Sequence, residues 1–288
     1  MAQADQYQRF IFEHSQVRGA WVNLTDSYQR IGSQADYLPN VRNLLGELLA
    51  ASVLMSSTLK FEGTLGIQAH GDGLLSTLLA ETTHDRNIRG LARMHEDHSA
   101  SDSSGSQLDE LLGKGRMAIT ITPTQGRRYQ GVVPLEQDTL AGCLTDYFAR
   151  SEQLDTCLIL HANQHHAGGL LLQRLPGGQD ADLDLWNRVN HLAATVTAEE
   201  LLTLDSQTLL HRLFHEEDVR LFDAEGVRFR CTCSKERTAA ALKSIGQEEC
   251  YQLLDEHKVI EMDCQFCHAQ YRYERHDLDQ LFHGHSLH

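Results

Sequence analysis

No stretch of this chain approaches the roughly 20 consecutive apolar residues that a membrane-spanning helix needs, so a membrane partner is not expected. The opening residues, Met1 to Phe10, are polar and lack the basic n-region and apolar h-region of a secretory signal, and a cytoplasmic protein is the expectation. Positive charge is scarce: 25 Lys and Arg stand against 40 Asp and Glu, for a formal charge of −15. A mean field of that sign repels phosphate backbones and disfavours nucleic acid as a partner. No repeat of 20 to 50 residues marks a solenoid. Around Gly113-Lys114-Gly115 there is no G-x4-G-K-[ST] pattern, so no phosphate-cradling loop of that type is expected.

What is present reads as globular, with 41% hydrophobic and 23% charged residues in a chain of 288, long enough for one ordinary domain and a smaller one. Residues 1–178 read as an α/β (α+β) domain of mixed helix and largely antiparallel sheet. A helix opening at Pro39 sets Val41, Leu44, Leu45, Leu48, Leu49 and Ser52 on one side. Beyond it Phe61, Gly63, Leu65, Ile67 and Ala69 alternate as a half-buried strand does. Met117 to Thr122 and Tyr129 to Val133 read as one hairpin. Thr156 to Ala162 and Leu170 to Leu175 read as another, across a turn carrying Gly168 and Gly169. Residues 98–107, rich in Ser and Asp, read as a surface loop. Pro176, Gly177 and Gly178 end the pattern, and residues 179–226 read as a helical linker. In it Leu183, Trp186, Val189, Ala193 and Val196 follow helical spacing, and Thr197 with Glu200 forms a capping box. Leu209, Leu210, Leu213 and Phe214 share one face of a further helix.

Residues 227–288 carry the chemistry. Of seven cysteines, four form two tight pairs, Cys231-Thr232-Cys233 and Cys264-Gln265-Phe266-Cys267, each closing a short strand, Val227 to Arg230 and Val259 to Met262. An odd cysteine count in a reducing compartment argues against a static disulfide framework. Two close pairs on adjacent turns can supply the four soft ligands of a tetrahedral zinc ion. The intervening residues accommodate a helix pair, with Ser234 as N-cap, Gly246 as stop and Leu253 and Leu254 in the second helix. Four thiolates leave no coordination position for water, so such a site is structural or a switch and not a hydrolytic centre. One zinc contributes about 10–16 kcal/mol to folding, against about 5–15 for a whole domain, and would be the main staple of so short a region. Zinc-bound thiolates are also the form that oxidants attack. Cys143, Cys157 and Cys250 have no partners in sequence and are expected as small buried hydrophobes.

At these residues the chain resembles the heat shock protein thirty-three family of redox-regulated bacterial holdase chaperones. The likeness runs through Arg9 to Phe12, Leu45 to Leu65 with Gly71-Asp72-Gly73, Tyr129 to Leu135, Ala167 to Leu171 and the C-x-C plus C-x2-C pattern. The resemblance implies a reduced, inactive form in which Cys231, Cys233, Cys264 and Cys267 hold one zinc ion. It implies that oxidation joins Cys231 to Cys233 and Cys264 to Cys267, unfolds the adjoining linker, and yields a homodimer that holds unfolding client proteins without ATP. No enzymatic turnover is implied. Under this reading Leu209, Leu210, Leu213 and Phe214 become candidates for apolar surface exposed on activation.

Other readings find less support. A nucleic-acid-binding zinc ribbon would use Arg228, Arg230, Lys235 and Arg237, but Glu236, Glu248, Glu249, Asp255, Glu256 and Asp263 cancel them. A thiol oxidoreductase would place C-x2-C at a helix N-terminus, whereas Cys264 to Cys267 closes a strand. The tail histidines His283, His285 and His288 could bind metal weakly but are expected to lie in a disordered run, and the turn histidines His161, His165 and His166 and the loop-flanking His95 and His98 are expected to be solvated.

Overall fold

The computed structural model describes residues 5–58, 62–96, 107–177 and 180–284. The chain divides into two compact units, Met1–Arg230 and Cys231–His288.

In the first unit, β1 (Gln6–Phe12) and β2 (Val17–Leu24) pair antiparallel, and α1 (Asp26–Gly32) leads to α2 (Pro39–Thr58). A meander follows, β3 (Gly63–Gly71), β4 (Leu75–Thr83) and β5 (Asn87–Met94). The short α3 (Leu108–Leu112) precedes the hairpin β6 (Gly115–Pro123) and β7 (Tyr129–Pro134). Next come α4 (Leu140–Tyr147), continued by a wider turn over Phe148–Glu152, and the hairpin β8 (Asp155–Ala162) and β9 (Ala167–Arg174). One sheet has the order β5-β4-β3-β6-β7 from β5 inward, and the other β1-β2-β9-β8. These pairings are antiparallel. No helix among the described residues is long and apolar enough to cross a membrane.

The helix α2 lies between the two sheets, packing on β4 and β5 of one and on β2, β8 and β9 of the other. Val41, Leu44, Leu45, Leu48, Leu49 and Ser52 are buried as their spacing predicts, but so are Ala50, Ala51, Val53 and Leu54. The expected single apolar side is therefore an all-round apolar helix, which a two-sided sandwich requires.

Two expectations are corrected. Gly168 and Gly169 lie inside β9, not in the turn; a Cβ on Gly169 would meet Leu54 Cδ1 at 2.7 Å, so the glycine permits close approach of α2. The turn is built instead by Asn163, whose Oδ1 accepts from the backbone N–H groups of His165 and His166, both at 2.8 Å. Leu183 is 45% exposed, and Leu185 takes its expected place beside Trp186 in the core. The strand pattern at Phe61 and most of the 98–107 loop fall outside the described residues.

Beyond Gly177 the chain forms α5 (Asp180–Ala193), α6 (Ala198–Thr203) and α7 (Ser206–Phe214), with the Thr197 and Glu200 capping box present. Their apolar faces cover the outer face of the β1-β2-β9 sheet in a second core of Phe10, Phe12, Trp21, Leu170, Trp186, Val189, Leu209, Leu213 and Phe214. The short strands β10 (Val219–Leu221) and β11 (Glu225–Gly226) then add to β1, and β12 (Arg228–Phe229) runs parallel to β5. Where the sequence suggests divisions after 178 and 226, the chain's packing divides at Arg230 and Cys231.

The second unit contains α8 (Lys235–Ile245), α9 (Gln247–His257), the antiparallel pair β13 (Ile260–Asp263) and β14 (Gln270–Tyr273), and α10 (Arg275–His283). Its core is small: Leu242, Cys250, Leu254, Ile260, Tyr273 and Leu278.

Candidate metal centre

Each cysteine pair sits where the backbone has just left a regular element or is about to enter one. Cys231 and Cys233 precede α8, whose N-cap Ser234 accepts from the Arg237 N–H at 3.3 Å. Arg237 also folds back, donating from Nη1 to the Thr232 carbonyl at 3.0 Å and to its hydroxyl, which fixes the residue between the two thiols. Cys264 and Cys267 occupy the turn between β13 and β14. There the Cys264 carbonyl accepts from the Cys267 and His268 N–H groups at 3.3 and 2.7 Å, and the Cys264 N–H donates to the Ala269 carbonyl at 2.9 Å. His268 closes the knuckle with φ +54°, a left-handed conformation that reverses the chain in one residue.

The start of α8 is tied to the far strand and the last helix. The Tyr273 hydroxyl donates to the Lys235 carbonyl at 2.6 Å, and Lys235 Nζ reaches Asp277 at 2.6 Å while lying 5.3 Å from the centre of the Tyr273 ring. The amino end of α8, with its positive dipole end, thus lies directly after Cys233.

These supports bring the four sulfurs together. All four Sγ atoms lie within 4.8 Å of one another, with Cys231 to Cys264 at 3.5 Å and Cys233 to Cys267 at 3.3 Å. A tetrahedron with metal–thiolate bonds of about 2.3 Å has edges of about 3.8 Å, so the sulfurs fit one four-coordinate ion and leave no fifth direction open. Cys264 is buried, 8% exposed, and the other three are half-buried. Burial raises Cys231 and pushes Cys267 up to about 12. Cys233 is opposite: burial works against its thiolate, yet the Tyr271 hydroxyl and the neighbouring thiols hydrogen-bond to it and lower it to about 7. The same bond raises Tyr271, which stays a donor. One thiolate ready at neutral pH is where a cation would first be captured.

Among the described residues this is the one grouping of three or more His, Cys, Asp or Glu side chains able to hold a metal ion. The structure places the remaining candidates elsewhere. Cys143 and Cys250 are fully buried, Cys250 donating to the Leu242 carbonyl at 3.4 Å, and Cys157 is half-buried with its thiol raised to about 11 by burial. Leu209, Leu210, Leu213 and Phe214 are core residues of the first unit. His283 faces Gln247 at 3.0 Å, His95 contacts the Gly71 carbonyl at 3.1 Å, and burial lowers His161. His98, His285 and His288 lie outside the described residues. Sequence reasoning missed Tyr271 and weighed Arg237 only as a nucleic-acid contact; the available signal for Tyr271 was an aromatic four residues past Cys267, in the strand returning from the knuckle.

Comparison with known proteins places this arrangement among relatives. The model of one family, described as Hsp33 protein, matches residues 5–274. The curated 33 kDa chaperonin of Pseudomonas aeruginosa (strain LESB58) is 46% identical over 289 residues, covering 99% of this chain and 96% of its own. That of Hahella chejuensis is 46% identical over 288 residues, covering 99% of each. A crystal structure of the 33 kDa chaperonin (heat shock protein 33 homolog) from Thermotoga maritima matches with a TM-score of 0.81 at 18% identity, over 96% of this chain and 97% of that one. At that identity the likeness is one of fold.

Proposed function

The chain belongs to the Hsp33 family, and from that premise we propose that it is a redox-regulated, ATP-independent holdase that binds unfolding proteins and prevents their aggregation under oxidative stress. The observation that carries the switch is the meeting of four sulfurs within 4.8 Å on a unit whose hydrophobic core, among the described residues, is a cluster of six buried side chains. A core so small is marginal without a staple. Zinc, bound by Cys231, Cys233, Cys264 and Cys267, would supply that staple and keep the four sulfurs as thiolates.

The reduced protein is the latent form. In the first pair Cys233 is taken as the thiolate that meets the oxidant. Its thiolate attacks a peroxide oxygen, the O–O bond breaks, and a sulfenic acid forms as hydroxide leaves and takes up a proton to become water. Cys231 then displaces the sulfenic oxygen as a second water, closing the Cys231–Cys233 disulfide; a second peroxide does the same for Cys264 and Cys267. Each cysteine pair gives up two electrons as its disulfide forms, and each peroxide accepts two. With no thiolate left as ligand, the unit loses its staple and unfolds. Residues 227–288 are the switch in this reading, 179–226 the linker that loosens with it, and 1–178 the chaperone core. Release of α7 would bare Leu209, Leu210, Leu213 and Phe214, four side chains well suited to hold exposed apolar segments of a client. The oxidised chain acts as a homodimer in the cytoplasm.

The test follows zinc, thiols and holding activity together during mild peroxide treatment. One zinc leaving as four thiols disappear, with suppression of a thermally unfolding client's aggregation rising in step and reversing on reduction, is the expected result. Zinc loss without any holding activity would leave the metal a structural staple alone.

A further inference from the structure

Helix α7 turns one side to the protein and the other to solvent. Leu209, Leu210, Leu213 and Phe214 are buried, whereas Gln207, His211 and His215, each four residues from the next, are exposed. Residues four apart on a helix lie one above the other. The imidazole rings of His211 and His215 accordingly stand 6.0 Å apart, centre to centre, at an interplanar angle of 35°. Neither ring hydrogen-bonds or ion-pairs with another described residue. A neutral imidazole in that position keeps one nitrogen lone pair to offer.

The surroundings favour a cation. His215 caps the C-terminus of α7, where the negative end of the helix dipole lies. Glu216 and Glu217 follow it directly. The guanidinium groups of α5 and α7 are engaged elsewhere. Arg212 pairs with Glu200 and donates to the Thr195 carbonyl at 3.4 Å. Arg188 donates to Glu217 at 2.7 Å, with Asp184 and Glu216 also acting on it. Three carboxylates thus face one arginine beside the histidine pair, in a chain whose formal charge is −15.

We propose that His211 and His215 form a two-imidazole chelate for a divalent transition-metal ion such as nickel, copper or zinc, separate from the four-thiolate centre. Imidazole nitrogen suits these ions, and two histidines four apart on one helix face hold zinc in the H-E-x-x-H pattern. Here the residue after His211 is Arg212 in place of that glutamate, so no hydrolytic chemistry is implied. Metal–nitrogen bonds of about 2.0–2.1 Å bring two ring centres to about 5 Å. The rings therefore need to close by about 1 Å, which exposed side chains achieve by turning about χ1 and χ2. An ion bridging one turn of α7 keeps that turn from unwinding. At free metal about 100 times Kd, the population with α7 opened falls about 100-fold. Only one consequence rests on the switch reading above: the bound ion would keep Leu209, Leu210, Leu213 and Phe214 docked and raise the oxidant dose that releases them.

The reduced, zinc-loaded full chain is titrated with nickel(II), and amide exchange is followed by mass spectrometry while retention of the zinc is checked. Nickel should slow exchange across residues 208–215 by about tenfold or more near saturation and leave the other helices unchanged. His211→Gln and His215→Gln, both at exposed positions, should keep the wild-type unfolding midpoint. Each should weaken nickel at this site by about tenfold or more, because the second imidazole acts at high effective concentration, and each should remove the protection. Gln207→His in the His215→Gln background recreates a pair four apart with His211 and should restore it. Absence of protection in the wild type, protection that survives His211→Gln, or failure of Gln207→His to restore it would overturn the site. Protection of α7 by nickel with an unchanged oxidant dose for client holding would keep the site and overturn only its link to the switch.

Discussion

Cys233 Sγ lies 3.3 Å from Cys267 Sγ, a residue of the opposite knuckle. The other short contact, Cys231 to Cys264 at 3.5 Å, also crosses between knuckles. The disulfides proposed from the family join sequence neighbours instead, and with all four sulfurs within 4.8 Å both pairings are within reach. Peptide mapping after peroxide treatment to the loss of four thiols should recover Cys231 joined to Cys233 and Cys264 to Cys267. Fragments linked between knuckles would sink that pairing.

Cys264→Ser removes the most buried of the four thiols and one quarter of the ligand set. With a contribution on the order of 10 kcal/mol at stake, the reduced variant should lose its zinc. Amide-exchange protection should collapse across α8, α9 and α10 while Met1–Arg230 keeps its protection. Cys250→Ser, at a fully buried thiol outside the cluster, should retain zinc and lose only about 1 kcal/mol.

Phe214 packs edge-on against Phe12 at 5.2 Å and lies 6.4 Å from Phe10. Truncation to Ala should cost about 3–5 kcal/mol of docking. Proteolysis within 206–214 of the reduced protein should accelerate, and holding activity should appear at a lower oxidant dose. Phe214→Asp, assayed in the oxidised form, should hold clients less well. Unchanged suppression of aggregation would return these residues to core packing alone.

Glu47 stands in α2, and burial raises its carboxyl to about 7. Below its unfolded value near 4.5 the group is protonated in both states and contributes nothing. As pH rises from about 4.5 to 7 the unfolded chain gives up the proton first, so stability falls and the full penalty, about 3 kcal/mol, is present above pH 7. Glu47→Gln should therefore stabilise the first unit against urea at pH 8 and leave it nearly unchanged at pH 4. Equal effects at the two values would show that the carboxyl is not titrating.

Asp5, with φ +57°, accepts from the Thr25 N–H at 2.6 Å and the Ser27 N–H at 2.7 Å, and its carbonyl accepts from the Val227 N–H at 2.8 Å. It caps α1 from 20 residues away, since Thr25 makes no side-chain cap of its own. Asp5→Ala should destabilise the first unit by about 2–3 kcal/mol, read from its chemical unfolding midpoint.

Several of these features were legible because they are local. The Pro39 start of α2, the Thr197 and Glu200 capping box, the Ser234 N-cap and the Gly246 stop each depend on residues within four of one another. The strands β1 and β2 were not legible. Tyr7 and Val22 enter one core while Phe10 and Trp21 enter the other, so both faces are apolar and the period of two is blurred. The glycines of β9 were misplaced for a related reason: Gly169 admits Leu54 of α2, more than a hundred residues earlier in the chain, and Gly168 admits Leu201 and Leu202 of α6.

By itself, the sequence determined that four thiols stand in two tight pairs around a helix pair, because spacing and caps act over a few residues. Tertiary structure alone decided which sulfurs face each other, that Tyr271 lowers Cys233, and that α5 to α7 cover the outer sheet. It also decided that Arg18 meets Gln173, 155 residues away. Those outcomes follow from which strands pair and which faces they bury, and no local periodicity encodes a partner so distant along the chain.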